Sequence, residues 1–266
     1  MEHITSSSNP KIRQVRDLLA RTGARRKAGL FVVEGPKMVE EAFRYAKVQS
    51  VFVAEASMKE TADGGEHGAL LAQLSGCPSY EVPDSLMKSL SDTVHPQGVL
   101  AVAEMPSYDL QAILAEGDDS AQMKFLVLED IQDPGNLGTM MRTAEAAGMH
   151  AVIMSRGTVD LFNPKVVRAT MGSIYRVPFV YTENLQDTLR DLQEHGIVAY
   201  ACHLHGEDYY SQDALAGRRA ILIGNEANGL SDAISALADV RIRIPMAGQV
   251  ESLNAAVAAA LMMYHR

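Results

Sequence analysis

The sequence predicts an α/β protein: a C-terminal, mainly parallel sheet with helices on both faces, preceded by a smaller α/β domain. Two observations carry this. From Lys124 onward, short apolar runs alternate with helical runs, the pattern of a parallel sheet covered on both sides. Ahead of them lies Met105–Met123, with Pro106, Gly117, Asp118, Asp119 and Ser120 around a short helical piece, the composition of a linker. At 266 residues the chain suits two modest domains with sizeable cores. We divide it into a basic helical arm (1–27), an α/β domain (28–105), a linker (106–122) and a second α/β domain (123–266).

Asn9-Pro10 is a helix start, a capping side chain followed by proline at the first helical position. Ile12, Val15, Leu18 and Leu19 recur at helical spacing, so this helix has one apolar face and ends by Gly23. The next domain reads as strand 30–33, helix 36–46, strand 51–53, a polar loop over 56–68, helix 67–74, strand 79–82, helix 84–90 capped by Asp84, and strand 98–103. In the last domain strands fall at 125–128, 151–154, 177–180, 197–201, 220–223 and 240–244. Helices fall at 137–147, 164–171, 185–194, 231–237 and 252–264. The ligand site of such a sheet lies at the carboxyl ends of its strands.

Net charge is −9 and the pI about 5.4, which argues against blanket binding to a polyanion. The charge is uneven, however: residues 1–27 hold Lys11, Arg13, Arg16, Arg21, Arg25, Arg26 and Lys27 against Glu2 and Asp17. That arm reads either as a solvated helix face or as a phosphate-contacting one. No apolar run reaches the roughly 18 residues of a membrane span. Cys77 and Cys202 form no disulfide framework, and the N-terminus lacks a signal-peptide core, so a cytoplasmic protein with reduced thiols is expected. Cys202-His203-Leu204-His205 fits no standard zinc spacing, and no metal is expected.

Three stretches carry chemistry. One runs from Asp133 to Ala144, with Asn136 at the start of a helix and Arg142 within it. A second, Leu222–Leu230, holds Gly224, Asn225, Glu226 and Gly229 after an apolar strand. The third, Ile244–Tyr264, leaves a strand at Pro245, turns at Gly248 and enters an alanine-rich helix through Ser252, Leu253 and Asn254. Together and in this order they resemble the signature motifs of the SpoU (TrmH-type) branch of the SPOUT RNA methyltransferases. The first is Asn-x-Gly-x-x-x-Arg-Thr-Ala, met by Asn136, Gly138, Arg142, Thr143 and Ala144. The second is Gly-x-Glu-x-x-Gly-Leu, met by Gly224, Glu226, Gly229 and Leu230. The third is Ile-Pro-Met-x-Gly-x-x-x-Ser-Leu-Asn, met by Ile244, Pro245, Met246, Gly248, Ser252, Leu253 and Asn254. Ala255-Ala256 departs from the Val-Ser pair common in the family and weakens any role for a hydroxyl at 256.

The resemblance implies a C-terminal trefoil knot, S-adenosylmethionine as cofactor, a homodimer that completes its active site across the interface, and methyl transfer to a ribose 2′-hydroxyl. It implies catalytic roles for Arg142, Asn136, Glu226, Ser252 and Asn254, and cofactor contacts at Gly224, Asn225, Ile244, Pro245, Met246 and Leu253. The family proposes that Arg142 deprotonates or orients the hydroxyl. A guanidinium is effectively always charged, so clamping a phosphate and stabilising the developing oxyanion is the easier role. Apart from the motif, Arg142 would pair with Glu145, Asn136 would cap its helix and Ser252 would cap the last one. The 28–105 segment, with Glu34-Gly35-Pro36 and His95-Pro96-Gln97-Gly98, resembles the L30e-like RNA-binding domain that precedes many SpoU domains. Arg13, Arg16, Arg25, Arg26, Lys27, Lys165 and Arg168 are the expected RNA contacts. Ribosomal RNA is the expected substrate. The alternatives are transfer RNA and a non-catalytic RNA-binding or ribosome-assembly protein. A dinucleotide oxidoreductase ranks low, because Gly135-Asn-Leu-Gly138 lacks the G-x-G-x-x-G spacing.

Overall fold

The computed structural model describes residues 1–62, 74, 76–91, 93, 96–116, 122–211 and 217–265. Most of the expected 67–74 helix, His95 and the 117–121 part of the linker lie outside the described residues. The contacts divide the chain into two units. One is Met1–Pro106 with Phe162–Tyr175, the other Ser107–Leu161 with Arg176–Arg266.

In the first unit a five-stranded sheet has the order β1-β4-β3-β5-β2. The strands are β1 (Glu2–His3), β2 (Leu30–Glu34), β3 (Val48–Ala54), β4 (Ser79–Val82) and β5 (Val99–Glu104). β5 runs antiparallel between β2 and β3, whereas β3 and β4 are parallel. Helix α1 (Pro10–Ala20) starts as expected, with Asn9 accepting from the Lys11 amide at 2.9 Å. Its Ile12, Val15 and Leu18 enter the core beside Val32, Phe52, Leu100 and Val102. α1 ends by Gly23, as expected. A second helix, α2 (Thr22–Ala28), follows at once and stops at Gly29 in the left-handed region, φ 65°. Helices α3 (Pro36–Tyr45) and α5 (Asp84–Leu90) stand where predicted. Of the polar stretch expected to loop, 56–62 instead lie in α4 (Glu55–Ala62), and 63–68 lie outside the described residues. Pro83, not Asp84, takes the N-cap position of α5, and Asp84 instead accepts from the Ala56 amide at 3.0 Å. Phe162–Tyr175, which carries α8 (Pro164–Thr170), belongs with this unit rather than with its sequence neighbours. The Phe162 and Phe31 rings lie 4.9 Å apart, and Tyr175 closes on Phe31 at 6.1 Å.

The second unit is a six-stranded, all-parallel sheet of order β11-β9-β10-β6-β7-β8. Its strands are β6 (Lys124–Leu128), β7 (Ala151–Ser155), β8 (Phe179–Thr182), β9 (Val198–Asp208), β10 (Arg219–Ile223) and β11 (Val240–Arg243). One face packs Phe125, Val127, Ile153, Ala201 and Leu222 under α6 (Leu110–Glu116), α9 (Leu185–Glu194) and α10 (Asp232–Leu237). The alternate residues, including Leu126, Leu128, Ile221 and Ile223, point to the other face and are also buried. There α7 (Pro134–Ala146) and α11 (Ala255–Tyr264) pack on each other and on the strands. Burial on both faces is why these strands are continuous apolar runs. β9 outruns its predicted length. Its pairing with β11 jumps from Ala201–Arg241 to Glu207–Ile242, so 202–206 bulge out of the ladder. Gly206 allows this, since a Cβ there would sit 2.5 Å from the Arg241 carbonyl oxygen.

The structure corrects one expected RNA contact. Arg25 is 2 % exposed. It donates to the carbonyl of Leu18 at 2.6 Å, to that of Leu19 at 3.3 Å and to the Thr22 hydroxyl at 2.9 Å. Carbonyls at a helix C-terminus lack intrahelical donors, and a buried guanidinium supplies them. Arg25→Ala should therefore lower unfolding stability by about 2–3 kcal/mol in urea titrations, while exposed Arg26→Ala changes it by less than about 0.5 kcal/mol.

Candidate active site

The order of the sheet sets the site. The strand order reverses between β6 and β10, where ligands of open α/β sheets bind. These strands pair through Leu128–Ile223, and the Glu129 amide extends the ladder to the Ile223 carbonyl at 2.9 Å. The loop after β6 (129–133) and the loop after β10 (224–230) are thus neighbours.

Glu226 joins them. One carboxylate oxygen accepts from the Asp133 amide and the Asn136 side-chain amide, both at 3.0 Å, and the other accepts from the Gln132 amide at 3.0 Å. Partial burial pushes the Glu226 carboxyl up. The hydrogen bonds from Asn136, Gln132, Asp133 and its own amide outweigh that and hold it below the usual glutamate range. Asn136 passes the connection on: its oxygen accepts from the Asn254 side-chain amide at 2.9 Å. The Asn254 oxygen in turn accepts from the Ala256 and Val257 amides at 2.9 and 3.2 Å. One hydrogen-bonded chain, Glu226–Asn136–Asn254, ties together all three motif stretches.

The caps differ from expectation. Asp133 caps α7, accepting from the Asn136 amide at 2.8 Å, which leaves the Asn136 side chain for the relay. The last helix begins at Ala255 with Asn254 as its N-cap. Ser252 is exposed ahead of it. Arg142 does not pair with Glu145, which is held by Arg176 at 2.5 and 3.1 Å. Arg142 is exposed and makes no hydrogen bond or ion pair among the described residues. Six residues of helix turn it about 120° around α7 from Asn136.

Sequence reasoning missed three residues that shape the loops. Glu129 accepts from the Ser231 amide and hydroxyl, both at 2.7 Å. Asp130 sits at φ 54°. Its amide donates to the Ser155 hydroxyl at 2.8 Å, and its carboxylate accepts from that hydroxyl at 2.7 Å. Gln132 donates to the Gly157 carbonyl at 2.6 Å, and a Cβ at Gly157 would lie 2.1 Å from the Asp130 carboxylate. The visible signal was an acidic pair directly after a strand.

The expected cofactor residues cluster in the second and third loops. A Cβ at Gly224 would lie 2.0 Å from the Gly229 backbone, so only glycine closes this turn. The Asn225 side chain is committed to the loop: it donates to the Asp130 carbonyl at 2.8 Å and accepts from the Ala227 and Asn228 amides. Its backbone is engaged too, the amide donating to the Gly229 carbonyl at 3.0 Å and the carbonyl accepting from the Gly229 amide at 2.8 Å, which leaves the second lone pair of that carbonyl for a ligand. Ile244, Pro245, Met246 and Leu253 are half-buried. Open space surrounds the position a Cβ would take at Gly248. Apolar side chains and freely approached backbone suit an adenosyl group. Among the described residues no cluster of His, Cys, Asp or Glu could hold a metal ion. Cys202, its thiol pushed up to about 11 by burial, lies in the β9 bulge with His203 and His205.

Residues 123–264 match the SpoU rRNA Methylase family, and residues 9–101 match the MRM3-like substrate binding domain. The chain belongs to the SpoU family. It is 32% identical over 265 residues, all of this chain and 99% of the relative, to the 23S rRNA (guanosine(2553)-2′-O)-methyltransferase RlmP of Bacillus subtilis. Among solved structures, an rRNA methyltransferase from Sinorhizobium meliloti with bound AdoMet (S-adenosylmethionine) matches at TM-score 0.81 and 30% identity. That match covers 99% of this chain and 96% of the other. The SpoU methyltransferase AviRb of Streptomyces viridochromogenes, in complex with AdoMet, matches at 0.80 and 28%, covering 96% of each chain. No helix among the described residues is long and apolar enough to cross a membrane.

Two outcomes follow from the relay. Asn254→Ala removes the cap of α11 and should cost about 1 kcal/mol of unfolding stability, measured in urea. Glu226 has a depressed folded pKa, so its stabilisation is full above the unfolded glutamate pKa and is lost as pH falls through the folded one. Glu226→Gln should thus be less stable than the parent at pH 7, with the gap in Tm closing as pH drops below the ordinary carboxylate range.

Proposed function

We propose that the protein is an S-adenosylmethionine-dependent methyltransferase of ribose 2′-hydroxyls in ribosomal RNA, acting in the cytoplasm. The observation that carries this is the Glu226–Asn136–Asn254 relay: it gathers the family's three motif loops at the sheet's switch point and leaves Arg142 unpaired. The full-length match to a 23S rRNA ribose methyltransferase supports ribosomal over transfer RNA.

The residues then have the following roles. The backbone at Gly224 and Asn225, with Ile244, Pro245, Met246 and Leu253, holds the cofactor. Bound S-adenosylmethionine supplies an electrophilic methyl group on a sulfonium. Asn136, fixed by Glu226 and Asn254, positions the ribose. Arg142 clamps a neighbouring phosphate and stabilises the charge that develops on the 2′-oxygen as its proton leaves. Ser252, exposed two residues before Asn254, is assigned the role of a hydroxyl partner in the same site. Arg13, Arg16, Arg26, Lys27, Lys165 and Arg168 are proposed as phosphate contacts. Five of them are exposed; Arg16 is partly engaged with the Ser7 carbonyl and the Ser89 hydroxyl.

The same reading includes a homodimer. Helix α11 is apolar all round, and such helices are buried. Its buried residues, Ala256, Ala259, Met262 and Met263, face the sheet and α7, while Val257, Leu261 and Tyr264 remain 49%, 38% and 51% exposed. These three lie at i, i+4 and i+7 on one stripe. A second copy covering that stripe would sit beside α7 and bring Arg142 to a composite site. The reading also includes the C-terminal knot, which the bond from Asn254, at the end of the 244–254 loop, to Asn136 of the first motif supports.

The test is methyl transfer from labelled S-adenosylmethionine to unmodified ribosomal and transfer RNA, followed by digestion to nucleosides. Label is expected in a 2′-O-methylnucleoside from the ribosomal fraction. Arg142→Ala should lose about 10²–10³-fold in kcat, and Arg142→Lys should not restore it. Label on a base, or none despite cofactor binding, would overturn the reading. Leu261→Glu should give a monomer by sedimentation and abolish transfer. A fully active monomer would refute the composite site.

A further inference from the structure

A cavity of about 900 Å³ lies wholly within the first unit, and none of its lining residues belongs to the three motif loops. Its size suits a nucleotide-sized ligand, since such pockets span about 300–1,000 Å³. Buried Met38 and Met87 are apolar lining residues, and Lys37, Lys88 and Arg168 are cations lining the same cavity. All three cations are exposed, and none has an ion-pair partner among the described residues. The two carboxylates that line the cavity are engaged. Glu34 accepts from the hydroxyls of Ser91 and Thr93, and Asp84 accepts from the Ala56 amide.

Two features show that the cavity is built rather than left over. The first is its glycines. Gly35 and Gly98 have φ of 98° and 72°, and a Cβ on either would collide with Gln97 or Ser57 at about 2 Å. Side chains there would displace two polar groups that line the cavity. The second is Met171. It contributes to the same cavity yet is 56% exposed, and it holds φ 51°, where non-glycine residues are uncommon. Backbone strain of this kind persists where the surrounding structure enforces it. Here the left-handed turn ends α8 and carries a polarizable thioether to the cavity.

We propose that this cavity receives one unstacked nucleotide of the RNA substrate. Its base lies against Met38, Met87 and Met171, and its phosphates lie on Lys37, Lys88 and Arg168. Unstacked bases of single-stranded or bulged RNA are the usual objects of sequence-selective recognition. The spare lone pairs of Glu34 and Asp84 supply acceptors for amino groups on a base edge. The inference rests on the reading of the protein as an RNA methyltransferase. It adds a recognition point built from residues outside the motif loops, completed by Arg168 and Met171 from a segment that lies among the methyltransferase strands in sequence.

The experiment uses the full chain with in-vitro-transcribed large-subunit ribosomal RNA. The double variant Lys37→Glu, Lys88→Glu should raise KM for RNA about tenfold or more, with kcat at saturating RNA kept within about twofold. Its plot of log affinity against log salt should be shallower by about 2, one for each lost phosphate contact. Met171→Ala should raise KM severalfold without changing that slope. An unaltered rise in Tm on adding S-adenosylmethionine verifies folding of each variant. If the parent methylates RNA and the variants match its KM and salt slope, the cavity inference falls while the function stands. If the parent methylates no RNA, both fall. If the variants bind naked RNA normally but lose binding to ribosomal particles, the occupant is a protein and the inference is overturned.

Discussion

A carboxylate can only accept hydrogen bonds, and that restriction at Glu226 sets the polarity of everything around it. Asn136 must turn its amino group to Glu226, so its oxygen faces away and accepts from Asn254. Asn254 must then direct its own oxygen to the first amides of α11. Each amide has one orientation that satisfies both neighbours. Three loops far apart in sequence are thereby locked in register without any side chain reserved for a cofactor. The parallel sheet makes it possible by setting the ends of β6 and β10 side by side.

Around that relay the chain divides its polar groups by task. Arg25 and Arg176 are consumed by structure, one on helix-end carbonyls and the other on Glu145. Arg142 has no partner among the described residues and lies on a helix whose other side packs on the sheet and on α11. The apolar stripe of Val257, Leu261 and Tyr264 on the neighbouring helix makes the same point in apolar terms. A single chain leaves both the cation and the stripe in water, and a second copy would resolve both.

The fold was largely legible because strands buried on both faces must be continuous apolar runs, and residues 125–128 and 220–223 are such runs between helical patterns. The site was legible because its residue types recur in a fixed order: Asn136, Glu226 and Asn254 were all singled out before their contacts were known. What escaped depends on tertiary partners. The first helix ends by Gly23 as its sequence implies, but the second, Thr22–Ala28, is not signalled there, since it depends on burying Arg25 against the end of α1. Asn136 and Asp133 are equally good caps in sequence; only the position of Glu226 decides which one is spared. Ser252 has the chemistry of a cap but lies three residues before the helix. Phe162–Tyr175 reads as a helix in the second unit, yet its aromatic ends close on Phe31 of the first. The polar segment Glu55–Ala62 lacks an apolar stripe, so helical periodicity gave no sign of it.

The account stands or falls on whether Asn136 and Asn254 act as one unit. A double-mutant cycle on the methyl-transfer rate, with Asn136→Ala, Asn254→Ala and the pair, measures this directly. The relay predicts that the double variant loses little more than the worse single variant, because either change already frees the other amide. Losses that multiply across the two positions would mean the residues act independently, and the relay would not be what organises the site.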